Sequence, residues 1–377
     1  MAKKHKRYLL ILQEAMFEAI IVATSATLLA FFARFKHYSI LLALAFILIT
    51  VFLSLGYEWG NDVPEYNGFY DSCINSRTGL FDFFNYSELS SKSEFGWVFI
   101  NLLCQSFGFY GMRAILFCFE NFIIYRFIKR NVSSDWYWLA VFVYVFNPYF
   151  MILSSSMMRQ WLAMCLVILG LEFIEKKKWL VYILLVLIAA TIHRSSLVCL
   201  PMIFLPKFFK YEFKSQVLIW FIPLFFVYFI FSGFFVDYVS SWLKQEDAYT
   251  NYMSASESTG LGVANIVKLA IYLFIFAGYT KVVKQKRIYM IIPLLFCWAL
   301  PFYSVSGMAS RLTLYFTAIS IVAFPLYIES YRKPFNKVFM VSACLALVFY
   351  DLYVFFTTPL WMLKFGIYTS LFDVGIL

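Results

Sequence analysis

"SSSMMRQWLAMCLVILGLEFIEKKKWLVYILLVLIAATIHRSSLVCLP", residues 154–201, sets two apolar runs on either side of the basic turn EKKK. Each run is close to the length that crosses a bilayer core of about 30 Å. Inside lipid the backbone must satisfy its own hydrogen bonds, so such runs are helices. The stretch therefore reads as a transmembrane helical hairpin. The rest of the chain repeats the pattern. Its 377 residues are 63% hydrophobic and 14% charged, far from the composition of a soluble domain. Ten-residue alternating strands of the porin kind are absent, so the expected fold is an all-α polytopic membrane protein.

About twelve transmembrane helices are expected, at 16–33, 39–56, 109–126, 136–153, 158–175, 179–193, 195–209, 215–234, 262–280, 288–304, 311–330 and 337–357. Residues 1–377 form one integral-membrane domain with two polar loops, 57–95 and 235–261. The piece 96–108 is too short to span and reads as re-entrant or interfacial. At the N-terminus, Gln13, Glu14 and Glu18 interrupt the apolar run, which speaks for a retained first span over a cleaved leader. The seven cysteines include no C-x-x-C pair; they read as core filler with no disulfide, and only Cys73 lies in a long polar loop.

The net charge of +10 would suggest nucleic acid in a soluble protein, but topology explains it here. Five connections are basic: RFIKR (126–130), EKKK (175–178), KFFKYEFK (207–214), KVVKQKR (281–287) and YRKPFNK (331–337). With these spans all five fall on one side, which the positive-inside rule makes cytoplasmic. The loops 57–95 and 235–261, SSSMMRQ, HRSS and SGMASR then face outward. The N-terminal Lys3, Lys4, Lys6 and Arg7 run against this orientation and are outvoted by the five later loops.

Few basic or imidazole groups remain near the outer face: Arg159, His193, Arg194 and Arg311. Arg159 and His193 lie equally far, about 17 residues, before and after Lys176. At roughly 1.5 Å rise per residue both sit about 25 Å from the inner turn, level with one another. A single Arg at a helix end can snorkel into headgroups, and a single His can be an interhelical hydrogen bonder. Their gathering at one depth, on the side that disfavours Arg, points further. Guanidinium forks suit phosphate. A neutral His beside them suits removal of a proton from an attacking hydroxyl, and Asp62 is a second candidate base. The substrate class these groups suggest is a lipid-linked phosphate donor with a hydroxyl acceptor. No Gly-rich phosphate loop, D-x-D pair, H-E-x-x-H or G-x-S-x-G occurs, so neither nucleotide-driven nor metal-dependent work is indicated, and no cofactor is expected. Aromatics, 22% of the chain, serve belts and helix packing as well as sugar stacking.

The block 154–205, with Arg159-Gln160, a basic turn and His193, resembles the central signature of the EpsG-type, Wzy-like polysaccharide polymerases. WGNDVPEYNGFY resembles the family's Gly-x-Asp and Tyr in the first outer loop, placing Asp62 and Tyr66. SEFGWVFINLLCQSFG resembles its acidic-aromatic segment, with Glu94, and SGMASRLTLYF its late segment, with Arg311, Tyr315 and Phe316. The family's Arg a few residues before Gly-x-Asp is missing here, so either the loop binds its ligand differently or Arg77 or Arg113 substitutes.

The resemblance implies a GT-C-like membrane glycosyltransferase of O-antigen, capsule or exopolysaccharide synthesis. It would transfer an undecaprenyl-diphosphate-linked glycan to a second lipid-linked repeat unit, outside the bacterial inner membrane. His193 and Asp62 would be catalytic. Arg159, Arg311 and Arg194 would hold the diphosphate, and Gln160, Tyr66, Glu94 and Tyr315 the sugars. Cations alone can stabilise a departing diphosphate, so no metal is called for. The partners would be the lipid-linked donor and acceptor, membrane lipids, a flippase and a chain-length regulator, with no nucleic acid. Two rivals remain. A flippase of lipid-linked oligosaccharide predicts midplane charges and discontinuous helices; Glu120 and Lys268 are the main charges within spans. A membrane acyltransferase predicts acyl incorporation instead of longer chains.

Overall fold

A computed structural model describes residues 17–35, 38–75, 93–208, 263–277, 281–283, 286–296 and 307–376. The expected span 215–234, the loop 235–261, Arg77 and the N-terminal basic residues lie outside them. Among the described residues every regular element is helical, apart from one isolated bridge between Gly56 and Ser370. Among the described residues three stretches, Gln105–Asn131, Arg311–Glu329 and Pro334–Thr357, are long and apolar enough to cross a membrane. The chain divides into two compact units, 1–200 with 338–377, and 201–337.

The first unit opens with α1 (Phe17–Phe32) and α2 (Leu41–Leu55). Ala19, Ala23, Ala26 and Ala30 repeat along the buried stripe of α1. Small residues at this spacing let helix backbones approach closely in a membrane. α1 packs on α2 and on the later 137–146 helix. The polar stretch after α2 is not simply a loop: it contains α3 (Val63–Asn75), then α4 (Phe95–Leu103) beyond the undescribed residues. Val63, Tyr66, Tyr70 and Cys73 are its buried face, at helical spacing. Cys73 packs with Val98 and Leu102 of α4. The described cysteines are all free.

α5 (Gly108–Asn131) runs past the expected boundary at 126 by more than a turn. The expected span 136–153 is broken: α6 (Tyr137–Phe146) stops at Asn147-Pro148, and only a single turn, α7 (Met151–Ser154), follows. Pro148 disfavours helical backbone at the residue before it. The Asn147 side chain caps the break, accepting from Tyr149 N–H and donating to Asp351 at 3.2 Å.

The hairpin falls where the sequence places it, as α8 (Met158–Glu175) and α9 (Trp179–Ile192). α8 is buried on nearly every face, as its lack of amphipathic pattern requires. In α9, Tyr182, Val186 and Ala189 pack on α8, while Leu180 is 82% exposed and Leu184 57%. An outward stripe of bare leucine is intolerable in water and is what a lipid-facing helix presents. The turn closes with Lys177 in left-handed backbone (φ 58°) and Lys178 N–H bonded to Phe173 O.

The expected span 195–209 takes a different form: Arg194–Phe204 is a 3-10 helix, followed by the short α10 (Leu205–Phe208). Pro201 has no N–H for an α-helical ladder and constrains Leu200 before it. The second unit holds α11 (Val263–Ala277), α12 (Ile288–Ile291), α13 (Gly307–Thr317) and α14 (Ser320–Glu329). α11 and α12 pack on α14, with Tyr272 between Phe296 and Phe324. α15 (Pro334–Thr357) and α16 (Pro359–Phe365) close the chain, α15 lying in the first unit from Val338 onward. Residues 365–371 then grip the start of the 56–62 corner. Tyr57 N–H bonds Thr369 O at 2.7 Å, Leu371 N–H bonds Leu55 O at 2.8 Å and Trp59 Nε1–H bonds Phe365 O at 3.2 Å.

Candidate active site

The site is assembled from four chain segments of the first unit. The corner 56–62 arrives first. Gly60 has φ 139°, a conformation side chains resist, and an added Cβ would lie 3.2 Å from Ser156 Cα. That close approach lets Ser156 Oγ accept the N–H groups of Asn61 (3.0 Å) and Asp62 (3.1 Å). Asp62 is thereby tied to a residue just before Arg159. Its carboxylate accepts from Asn61 Nδ2 at 2.8 Å, and its carbonyl accepts Tyr66 N–H at the start of α3.

The second and third segments meet through a glycine. A Cβ on Gly96 would fall 2.3 Å from Thr191 Oγ1, so α4 can press against the end of α9 only with glycine there. This contact sets Glu94, just before α4, beside the end of the hairpin. His193 is the first residue after α9, in extended backbone, its N–H still bonded to Ala189 O.

Glu94 is the hub. Its Oε2 accepts from Arg159 NH1 at 2.8 Å; Oε1 lies 3.6 Å from His193 Nδ1 and 3.4 Å from Arg194 N. Arg159 NH1 also donates to Ser93 Oγ at 3.0 Å, and its guanidinium stands 5.6 Å from the Tyr66 ring centre. Tyr66 in turn meets Trp97 edge-on at 5.4 Å. Burial by itself would raise the Glu94 carboxyl, but the His193 ring and the Arg159 charge hold it down at about 2. At neutral pH Glu94 is therefore a carboxylate, able to accept hydrogen bonds and unable to act as an acid.

The cluster is incompletely satisfied. Arg159 Nε and His193 Nδ1 are buried without a hydrogen-bond partner, the latter because 3.6 Å is too long for one. Both side chains keep partial exposure, 29% and 23%, so the cluster opens to the outside of the fold. Such a set can hold an anion at Arg159 and take a proton at His193.

Of the residues singled out in the sequence, the structure brings together Tyr66, Glu94, Arg159, His193 and the Arg194 backbone, with Asp62 tethered through Ser156. The Arg194 side chain is exposed, and Gln160 is buried on the inner side of α8. Arg311 and Tyr315 lie four residues apart on α13 in the second unit, Tyr315 buried. Ser93, Trp97, Ser156 and Gly96 were not foreseen; the signal for Ser156 was the unusual Ser154–Ser156 run preceding Arg159. Arg113 proves to be a buttress: fully buried on α5, it donates from NH1 to Gly56 O at 2.7 Å, among the rings of Phe109, Tyr110 and Phe117. Among the described residues no group of His, Cys, Asp and Glu is placed to hold a metal ion.

Comparison with known proteins gives one strong match. The model of the EpsG family matches residues 39–370, nearly the whole chain and every site residue above. No curated protein and no solved structure matches.

Proposed function

We infer that this chain, which belongs to the EpsG family of Wzy-like polysaccharide polymerases, joins undecaprenyl-diphosphate-linked repeat units by glycosyl transfer at the outer face of a bacterial inner membrane. About twelve spans in a GT-C-like arrangement carry the site in this reading. The observation that carries it is the Glu94 carboxylate set between Arg159 and His193.

The donor diphosphate takes over the Arg159 fork, with the exposed Arg194 adding charge. Released from Arg159, Glu94 closes the 3.6 Å gap and accepts Nδ1–H of His193. That fixes the tautomer and leaves Nε2 as the base. The acceptor hydroxyl oxygen attacks the donor's anomeric carbon, its proton passes to Nε2, and the bond to the diphosphate oxygen breaks. The cations stabilise the charge gathering on that leaving group. Tyr66, beside the Arg159 guanidinium, is an aromatic contact for the sugars, and Asp62 is the second candidate base. Family membership and the gathering of Tyr66, Glu94, Arg159 and His193 at the end of the hairpin away from its basic turn support this reading. A flippase and a chain-length regulator are the expected partners.

The test is polymerisation by the purified protein alone, in liposomes, from a lipid-diphosphate-linked repeat unit. A ladder of longer glycans supports the reading; unextended substrate with a well-folded protein refutes it. One observation favours the flippase reading instead: the helix break at Asn147-Pro148 beside Asp351, together with Glu120 buried in α5 with Oε2 unbonded. Translocation without elongation in the same liposomes would establish that reading.

A further inference from the structure

At the opposite end of the hairpin, α5 and α8 carry a second charged cluster. Glu172 binds Arg126 at 2.6 Å and Arg130 at 3.4 Å, and also Lys176, while Arg130 reaches Glu175. Two carboxylates thus face three cations, and Lys129, Lys177 and Lys178 lie beside them, so this end is strongly positive. Between the helices runs a shallow cleft of about 10 Å3, room for about one water, walled by Ile123, Phe127, Ile168 and Leu169 and ending at Arg126 and Arg130.

The outer surface of α5 leads to the same place. Ile115, Phe119 and Phe122 are exposed large apolar residues at spacings that keep them on one helix face. Arg126, whose side chain is 48% exposed, continues that face one turn further. An apolar track as long as an acyl chain therefore ends on a guanidinium. Arg126 is bonded to Glu172 through NH2, and its exposure leaves donors facing outward.

We propose that the exposed face of α5, where it meets the charged end of α8, binds an anionic phospholipid, its acyl chain along Ile115, Phe119 and Phe122 and its headgroup phosphate on Arg126 and Arg130. Charge complementarity selects the headgroup, because a zwitterionic lipid brings an ammonium into an already cationic cluster. Glu172 lies about 20 Å along α8 from Arg159, so the site is separate from the proposed active site. It concerns the lipid around the protein and not the lipid that carries the glycan.

The test uses the purified full chain in neutral detergent, with phosphatidylglycerol, phosphatidylcholine or inorganic phosphate added. Retained lipid is read by native mass spectrometry and protection by melting temperature. Phosphatidylglycerol is expected to be retained and to protect, and Arg126→Gln to weaken its apparent affinity about fivefold. Arg126→Gln leaves Glu172 with Arg130 and Lys176, so the variant retains a paired cluster; R126Q/R130Q is expected to weaken binding further. Arg34→Gln, at an exposed arginine elsewhere, is expected to bind as the unaltered protein does. Equal retention of phosphatidylcholine, protection by inorganic phosphate equal to that by phosphatidylglycerol, or unchanged affinity in Arg126→Gln overturns the proposal. No polymerisation enters the readout, so failure of the glycosyl-transfer reading leaves this result standing.

Discussion

The two ends of the 158–192 hairpin both set carboxylates among cations, yet they are built differently. At the turn end, Glu172 alone contacts three cations and Arg130 joins Glu172 to Glu175. Glu172 is saturated by charge, and the arrangement locks α5 to α8. At the open end a single carboxylate, Glu94, is shared between Arg159 and His193, and one of its contacts is 3.6 Å long. Buried Nε of Arg159 and Nδ1 of His193 stay unbonded. Leaving such groups unmet costs stability, about 1–3 kcal/mol for a buried polar atom. The turn end ties two helices together by paired charge, with Arg126 left half-exposed at its edge, whereas the open end holds buried polar atoms with no partner, as a site that takes up substrate does.

Substitutions at the two ends should separate accordingly. Arg159→Ala removes a cation from the proposed diphosphate contact and should cut polymerisation by at least about a hundredfold, read as loss of the glycan ladder with membrane insertion intact. Gly96→Val drives a side chain into Thr191 and pushes Glu94 off the end of α9. A loss on the order of a hundredfold is expected, since displacements near 1 Å at a reacting centre have that effect.

Glu94→Gln tests the charge itself through pH. The carboxyl sits at about 2 in the folded chain against an ordinary 4.5. Its stabilising contribution is therefore complete above 4.5 and is lost as pH falls from 4.5 toward 2. The melting-temperature difference between the unaltered protein and Glu94→Gln should shrink across that window, and a constant difference would show that the ionised form is not what matters.

Ser156→Ala strands the Asn61 and Asp62 N–H groups and should cost about 1–3 kcal/mol, seen as a lower melting temperature. The smallest effect is expected at the saturated end. Lys176→Gln leaves Glu172 with two arginines and should change stability by under about 1 kcal/mol, with an unaltered ladder.

Much of this comparison was legible in the sequence because it lies within one hairpin. Two uninterrupted apolar runs around EKKK fix α8 and α9, and equal spacing from the turn puts Arg159 and His193 at one level. Glu94 confirms that level by contacting both. Its role as hub was not legible, since it is far from both in sequence and is brought there by the Gly96–Thr191 approach. The α3 helix was readable in principle, from Val63, Tyr66, Tyr70 and Cys73 at helical spacing within a stretch whose mean polarity suggests a loop. The break at Asn147-Pro148 and the 3-10 path of Arg194–Phe204 were each announced by a proline that an apolar count ignores. The sequence offers Arg113 as a stand-in for a missing loop arginine; its complete burial and its bond to the Gly56 carbonyl make it a brace instead.

The central claim is that His193, aligned by Glu94, removes the acceptor proton. It is tested most directly by comparing the purified unaltered protein and His193→Ala on one defined lipid-diphosphate-linked repeat unit in liposomes. A ladder from the unaltered protein and single, unextended units from a folded His193→Ala, a loss of at least about a hundredfold, is the predicted result. Ladders of equal length and rate from both proteins would contradict it.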